Sequence, residues 1–256
     1  MTGASEQNFQ VYNRGMCYSA QVQADLLELQ KIFKAEVAQA DEIFYQELKS
    51  KAQDLDYLKQ VLNLPRKPRS TFFKEPGEDD RIFPGYFTWV MVHENGRRVF
   101  KRMRYRVRPK NSKEEIPTKF NVFNARVDSL EYRQTWNKLF TKQHGLFPFV
   151  RFFEWVEHED KKRLISFLPQ DRKIMWAPCL WDYWEAPSKD FGFYSFALIT
   201  DEPPFEVAQA GHDRCPIFLK EKYIDEWLDV SGKSKNEWYG LLKNKEDVFY
   251  RGEWAA

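Results

Sequence analysis

Cys17 follows Met16 directly and lies just past a polar N-terminal segment. Three short segments farther along the chain carry side chains that suit chemistry at such a residue: Asn124-Ala125-Arg126, Phe153-Glu154-Trp155 and His212-Asp213-Arg214-Cys215-Pro216. If Cys17 became the first residue, its free amine and its thiol could capture one aldehyde twice, as an imine and then as a ring. These steps need a carboxylate for proton transfer and an amide or imidazole to direct it, and the three segments supply them.

The pairing of amine and thiol rests on simple physical chemistry. A free α-amine has a pKa of about 7.7–8.0, so an appreciable fraction is neutral near pH 7. Because both groups share one carbon skeleton, ring closure is intramolecular, with an effective molarity on the order of 10⁵ M. Glu154 stands between two aromatic residues and is expected to be desolvated, as an acid working at neutral pH requires.

Other interpretations of these residues remain open from the sequence. Cys17 and His212 could form an N-terminal thiol peptidase that acts mainly on its own leader. A non-catalytic module that binds single-stranded DNA is a second alternative, in which Cys17 is inert. A zinc site is not expected, because Cys179, His212 and Cys215 lack the spacing of zinc ligands. No metal or other cofactor is predicted.

Composition favours a packed cytoplasmic protein. The 256 residues, of which 17% are aromatic, are enough for a substantial core. Three cysteines do not make a disulfide framework, and no apolar run approaches the roughly 18 residues of a transmembrane span. With a net charge of only +2, affinity for nucleic acid must come from local clusters. We expect a monomer without membrane contact, associated with the nucleoid when bound to DNA.

The N-terminal part of the chain divides into a leader and a helical region. Residues 1–15 are expected either to precede the true start at Met16 or to be removed as a pro-segment. Residues 16–256 are then one domain. No Gly or Pro occurs between Met16 and Leu64, and apolar residues recur at three-or-four spacing. This pattern predicts one or two amphipathic helices over 20–64, broken near Ser50–Asp54 and ended before Pro65, with a loop over 65–81.

Strand patterns dominate from Tyr86 onward. Two runs, Tyr86–His93 and Val99–Val107, flank Asn95-Gly96, a strong hairpin signal. Asp128-Ser129 is predicted to cap a helix that runs to about His144 and stops at Gly145. Further strands are predicted at 147–157, 162–168, 173–184 and 193–200, and short helices at 221–229 and 234–243. The sequence thus predicts an α+β fold: a curled antiparallel sheet or barrel-like core with peripheral helices and a long N-terminal helical region.

A basic segment between Arg97 and Lys110 holds eight basic residues and no acidic one. Within it, arginine alternates with other residues at Arg102, Arg104, Arg106 and Arg108. In a strand these four side chains would share one face, roughly 6.6 Å apart. A solvated face offset by acidic neighbours is one interpretation; we favour a groove that follows DNA phosphates.

Taken in order, the segments resemble the SOS-response-associated peptidase (SRAP) family, whose members protect abasic sites in single-stranded DNA by covalent capture. The family pattern has Met-Cys-Gly-Arg, then Asn-Ala-Arg with an acidic residue and Thr, then Phe/Tyr-Glu-Trp, and finally His-x-Arg-x-Pro. Here the matching segments are Met16-Cys17, Asn124-Ala125-Arg126 with Asp128-Ser129, Phe153-Glu154-Trp155, and His212-Asp213-Arg214-Cys215-Pro216 after the strand Phe196–Thr200. The resemblance covers roughly 82–230 plus the cysteine.

The resemblance implies a role for each matching residue. Cys17 would be the nucleophile that forms a thiazolidine with the sugar aldehyde, and Glu154 the general acid/base. His212 would polarise the sugar oxygen or assist proton transfer, and Asn124 would position the Cys17 backbone. Two arginines, Arg126 and Arg214, would hold flanking phosphates of an abasic single strand.

The chain also departs from the family pattern. Tyr18-Ser19 replaces the Gly-Arg after the cysteine, which removes one expected phosphate contact. The family's Trp-Gly-x-x-Pro segment reads Tyr105-Arg106-Val107-Arg108-Pro109 here. The helical region is longer than the resemblance implies.

Overall fold

The computed structural model describes residues 19–23, 25–68 and 72–255 of the chain. Met16 and Cys17 lie outside these residues. Within them the chain forms thirteen strands and seven α-helices: β1 (Ser19–Gln21), α1 (Leu26–Phe33), β2 (Glu36–Val37), α2 (Gln39–Lys51), α3 (Leu55–Val61), β3 (Arg81–Ile82), β4 (Phe87–Glu94), β5 (Arg97–Tyr105), β6 (Asn124–Arg126), α4 (Gln134–Asn137), β7 (His144–Phe149), β8 (Arg151–His158), β9 (Lys161–Pro169), β10 (Met175–Glu185), β11 (Gly192–Asp201), α5 (Phe205–Gln209), β12 (Cys215–Pro216), α6 (Ile224–Leu228), α7 (Lys235–Lys243) and β13 (Tyr250–Trp254). No helix among the described residues is long and apolar enough to cross a bilayer.

A ring of strands forms the larger core. β4 pairs with β5, β5 with β11, β11 with β10, β10 with β7, and β7 again with β4, so the sheet curls into a barrel-like body. The β4–β5 turn places Asn95 and Gly96 at φ of 50° and 79°, as a two-residue hairpin requires, which confirms the hairpin prediction. Apolar side chains such as Phe100, Phe147 and Phe196 fill the interior and are wholly buried. The predicted α+β class with a barrel-like core is confirmed.

A second sheet carries β8 at its centre. Its strand order is β13-β9-β8-β1-β3, with every pairing antiparallel. β1 is short, but it connects the beginning of the described chain to β8: Ser19 lies opposite Phe153 and Gln21 opposite Arg151. β13 was not predicted from the sequence. It pairs with β9 from Tyr250 to Trp254 and completes the sheet on the other edge.

The N-terminal region is less helical than predicted. Three helices occupy it: β1 precedes α1, and β2 separates α1 from α2. The predicted break near Ser50–Asp54 and the end before Pro65 are confirmed, because Asp54 caps α3 and that helix ends at Val61. A long continuous helical region is not present in the described residues, since β2 joins the edge of β5 at Glu36 and Val37.

The predicted helix from Asp128 to His144 is wrong. A 3₁₀ turn, Val127–Ser129, and the single-turn helix α4 occupy part of that range, and β7 begins at His144. His144 is drawn into the core, where its ring stacks on Trp227 at 3.7 Å and lies 2.8 Å from the Trp227 carbonyl oxygen. Tertiary packing therefore overrides the local helix signal. The predicted strand over 147–157 is two strands, while the predicted helices near 221–229 and 234–243 are confirmed.

Gly145 fits its strand because it has no side chain. It pairs with Cys179 of β10, and its neighbour Leu146 pairs with Met91 of β4. A Cβ at this position would lie 3.0 Å from Cys179 Sγ and 3.0 Å from Val90 Cγ1. The predicted helix-stopping glycine therefore acts instead as a point of close approach between three strands.

Replacing Gly145 with alanine is expected to lower the free energy of unfolding by about 1–3 kcal/mol, because the added methyl group overpacks this point. Urea denaturation measures the change. Gly240→Ala is the matched control, because a Cβ there meets nothing within 4 Å and alanine favours a helix over glycine by about 0.5–1 kcal/mol. Equal stability of Gly145→Ala and the wild type would contradict this account of the barrel.

Candidate active site

Glu154 and His212 form a buried acid/base pair. Glu154 is 0% exposed and His212 is 4% exposed, and Nε2 of His212 lies 3.0 Å from Oε2 of Glu154. Residues that are 58 positions apart in sequence are thus brought into direct contact. A buried carboxylate is costly unless a cation or hydrogen-bond donor meets it, and His212 meets that need.

Strand alternation places Glu154 on the inner face of β8. Its neighbours on that face, Phe152 and Val156, are 0% and 2% exposed, whereas Trp155 on the opposite face is 48% exposed. Ile165 of β9 lies directly across from Glu154. The carboxylate therefore stands at a core position between apolar side chains, as expected for a proton-transfer group shielded from water.

The backbone after α5 fixes the orientation of the His212 ring. Its Nδ1 lies 2.7 Å from the Arg214 carbonyl oxygen, so Nδ1 donates a hydrogen bond there and Nε2 faces Glu154. Burial lowers the pKa of His212, but the hydrogen bond and the negative charge of Glu154 outweigh it, and the net pKa is raised. The 3.0 Å separation of Nε2 and Oε2 suits a proton held between the imidazole and the carboxylate.

Arg126 and Arg214 meet at a shared carboxylate. Asp128 accepts from Arg126 at 3.1 and 2.6 Å and from Arg214 at 3.0 Å. The hydrogen bond from Arg126 is the main reason why the pKa of Asp128 is lowered, and Arg214 adds to it. The side chain of Arg126 is 39% exposed and that of Arg214 is 12% exposed. Two predicted phosphate-binding residues thus lie together, with Arg214 two residues beyond His212.

Asn124 is a buried residue at the start of β6. It is 3% exposed, its side-chain oxygen accepts from the Tyr105 hydroxyl at 3.0 Å, and its strand runs parallel to β11 beside Leu198. Its backbone N–H donates to Asn121 Oδ1 at 2.9 Å. These contacts fix the amide in the core on the same short strand as Arg126. Its predicted role toward Cys17 stays a prediction.

The four alternating arginines do not share one strand face. β5 ends at Tyr105, and Arg106 has a φ of 138°, so the alternation stops before Arg106 and Arg108. Arg104 is buried and lies 2.6 Å from Glu115, while Arg108 is wholly buried with its guanidinium 3.5 Å from the Trp184 ring centroid. Burial lowers the pKa of Arg108 to about 10. The prediction that the four arginines share one strand face is therefore wrong.

Arg102 is the member of that set that stays nearest the surface. Its side chain is 21% exposed, lies 3.6 and 3.7 Å from Glu42 and Glu75, and packs 4.0 Å from the Trp89 ring centroid. The acidic partners come from α2 and from the loop before β3, which the basic segment itself does not reveal. Contact between these four arginines and DNA stays a prediction.

Two residues at the site were missed from the sequence. Asp128 was interpreted as a helix cap, although it is the carboxylate that joins Arg126 to Arg214. Arg81 donates from Nε and Nη2 to Ser19 Oγ at 3.0 and 2.8 Å, beside β8. The Asn-Ala-Arg segment, with an acidic residue two positions after its arginine, was a signal that could have predicted the contact of Asp128 with Arg126. Nothing in the sequence pattern connects Arg81 with Ser19.

Known proteins support a common origin for this arrangement. The SOS response associated peptidase (SRAP) family matches residues 30–251, a range that includes Asn124, Glu154 and His212. "Abasic site processing protein YMR114C" of Saccharomyces cerevisiae is 30% identical over 132 residues, which are 50% of this chain and 34% of the yeast protein. "Abasic site processing protein YoqW" of Bacillus subtilis is 21% identical over 63% of this chain and 71% of its own length. The chain thus spans about a third of the yeast relative.

Solved structures share the fold. A structural-genomics protein from Bacteroides thetaiotaomicron superposes with a TM-score of 0.64 at 14% identity, over 94% of this chain and 92% of that one. A protein from Bordetella bronchiseptica gives a TM-score of 0.61 at 14% identity, over 94% of this chain and all of the other. The family match over most of the chain, together with these folds, leads to one conclusion: the chain belongs to the SRAP family.

Proposed function

We propose that this protein captures abasic sites in single-stranded DNA covalently, through Cys17 after loss of residues 1–16. The observation that carries the proposal is the buried contact between Glu154 and His212. Glu154 lies on β8, the strand that pairs with β1. The family and the names of the abasic site processing relatives support the same substrate. The protein acts as a monomer on the damaged strand.

Only Tyr18 separates Cys17 from β1 in the sequence. Ser19 lies opposite Phe153, the residue before Glu154. We infer that a sugar aldehyde bound to the Cys17 amine exchanges protons with the Glu154 carboxyl group.

The capture balances with the loss of one water molecule. The neutral amine of Cys17 attacks the aldehyde carbon of the ring-opened sugar, and the carbinolamine expels its hydroxyl group as water to give an imine. The thiol sulfur then adds to the same carbon, its proton passes to the nitrogen, and a thiazolidine ring closes. Glu154 moves protons in these steps, and His212 keeps the carboxyl group supplied with one. Asn124 positions the Cys17 backbone.

A thiol peptidase is the less favoured alternative for the same residues. A cysteine nucleophile needs a histidine nitrogen that is free to accept its proton. Nδ1 of His212 donates to the Arg214 carbonyl and Nε2 faces Glu154, so both ring nitrogens are already engaged. Capture by an amine makes no such demand on the imidazole, and this difference favours capture over acyl transfer.

Arg126 and Arg214 are the residues that we assign to the DNA backbone. Asp128 holds both guanidinium groups near the loop that carries His212, and the exposed part of Arg126 can meet a phosphate. Planar guanidinium groups suit bidentate contact with phosphate oxygens. The two arginines would thus hold the DNA strand beside Cys17.

Protein that begins at Cys17 is expected to form a complex with an abasic single-stranded oligonucleotide that survives denaturing electrophoresis. Cys17→Ala and Cys17→Ser should form none, because each lacks the thiol that closes the ring. An intact oligonucleotide of the same sequence is the control, and intact mass identifies the first residue of the crosslinked protein. Crosslinking by either variant at the wild-type level, or by protein that retains residues 1–16, would contradict the mechanism.

Glu154→Gln is expected to slow crosslink formation by about 10²–10⁴-fold, the usual contribution of a positioned acid/base group. Time courses with an abasic oligonucleotide measure the rate. Glu157→Gln is the matched control, because that residue lies on the same strand but is exposed. Equal crosslinking rates for the two variants would show that Glu154 does not transfer protons in the reaction.

The contact between His212 and Glu154 is expected to stabilise the protein more at pH 6 than at pH 9. Because the pKa of folded His212 is raised above its usual 6.5, its stabilisation is fully present below about pH 6.5 and is lost as pH rises through the raised pKa. Urea denaturation of the wild type and His212→Gln at both pH values measures the difference. His158→Gln, at an exposed histidine, is the control. A difference that grows with pH would refute the pairing.

A further inference from the structure

Arg81 presents a rigidly held guanidinium group next to the start of the described chain. Nε and Nη2 donate to Ser19 Oγ at 3.0 and 2.8 Å, and the guanidinium carbon lies 4.0 Å from the Phe153 ring centroid and 4.9 Å from that of Phe83. β3 carries Arg81 opposite Gln21 of β1. The side chain is therefore fixed on three sides while it remains partly exposed.

Arg81 has no carboxylate partner in the described part of the chain. Several other arginines of the two sheets are paired with carboxylates: Arg151 lies 3.3 Å from Glu253, Arg104 lies 2.6 Å from Glu115, and Arg98 lies 2.6 Å from Asp225. Nearby Asp79 accepts instead from the backbone N–H of Arg81 at 3.1 Å. An arginine held in place but not neutralised is suited to an external anion.

The free donors of Arg81 suit phosphate. A guanidinium group has five N–H donors, and Ser19 Oγ receives two of them. Three remain, including both of Nη1, in the planar arrangement that meets two phosphate oxygens together. Because the aromatic rings and Ser19 already fix the group, little side-chain freedom is lost on binding.

We propose that Arg81 binds the DNA phosphate that flanks the sugar captured by Cys17. This inference rests on the proposed function, since it names a further contact of the same site. Ser19 is two residues from Cys17 in the sequence and lies opposite Phe153, so Arg81 contacts β8 beside Ser19, on the face of the strand opposite Glu154. Ser19 also stands where the family pattern has arginine. β3 thus brings a guanidinium group to a place where the local sequence lacks one.

Arg81→Gln tests the contact. Glutamine keeps a donor for Ser19 but removes the charge, so the strand pairing of β1 is retained. The affinity for an abasic single-stranded oligonucleotide is measured at several salt concentrations in the form of the protein that crosslinks, with Cys17→Ser added to prevent covalent capture. Loss of one phosphate contact is expected to reduce the slope of log affinity against log salt by about 0.7 and to weaken binding roughly five-fold near 0.1 M salt.

Two further variants separate charge from structure. Arg81→Lys keeps the charge without the planar fork, so it should retain most of the salt slope but bind more weakly than the wild type. Arg98→Gln, at a partly buried arginine paired with Asp225 near α6, should leave the slope unchanged. A slope for Arg81→Gln equal to that of the wild type would overturn the assignment even if the wild type crosslinks normally. Failure of the wild type to crosslink would instead reject the proposed function.

Discussion

The buried contact between Glu154 and His212 is the interaction on which the rest of the site depends. Transfer of two ionisable groups from water into a core is costly, and their attraction offsets that cost only when the geometry is fixed. Here the geometry is fixed from both sides: β9 and the inner face of β8 hold Glu154, and the Arg214 carbonyl holds the His212 ring. The segment 212–216 is therefore positioned relative to β8 by the contact between His212 and Glu154 as well as by apolar packing.

A second set of charges extends from this loop. Arg214 reaches Asp128, which also binds Arg126 at the end of β6. β6 and β12 both pair with β11 near Thr200, so one barrel strand supports the two segments that carry these arginines. The barrel thus supplies a rigid base for the basic residues, while the smaller sheet supplies the carboxylate and the path of the chain toward Cys17. Neither sheet alone contains the whole site.

The basic segment shows how tertiary context changes the meaning of a charge pattern. Alternating arginines without an acidic neighbour in sequence predicted a surface for phosphates, yet Glu42, Glu75 and Glu115 meet them from other parts of the chain. The aromatic rings of Trp89 and Trp184 cover two of the guanidinium groups. Local sequence shows a net charge, whereas the partner of each charge is decided by long-range contacts. Arg81, which no pattern singled out, donates to a serine hydroxyl and packs on two aromatic rings instead of pairing with a carboxylate.

The sequence by itself determined the features that depend on neighbouring residues. The hairpin follows from Asn95 and Gly96, two residues that tolerate a positive φ. The helix break follows from Asp54, whose side chain caps the start of α3. The order of short motifs predicted that Glu154 and His212 act together, and the structure brings the two side chains into contact. Only the tertiary structure decided that the segment before Gly145 enters a sheet, that Asp128 joins two arginines and that Arg81 meets Ser19. Those outcomes depend on packing between residues far apart in the chain, and the free energy of such contacts exceeds the small local preferences that a sequence pattern records.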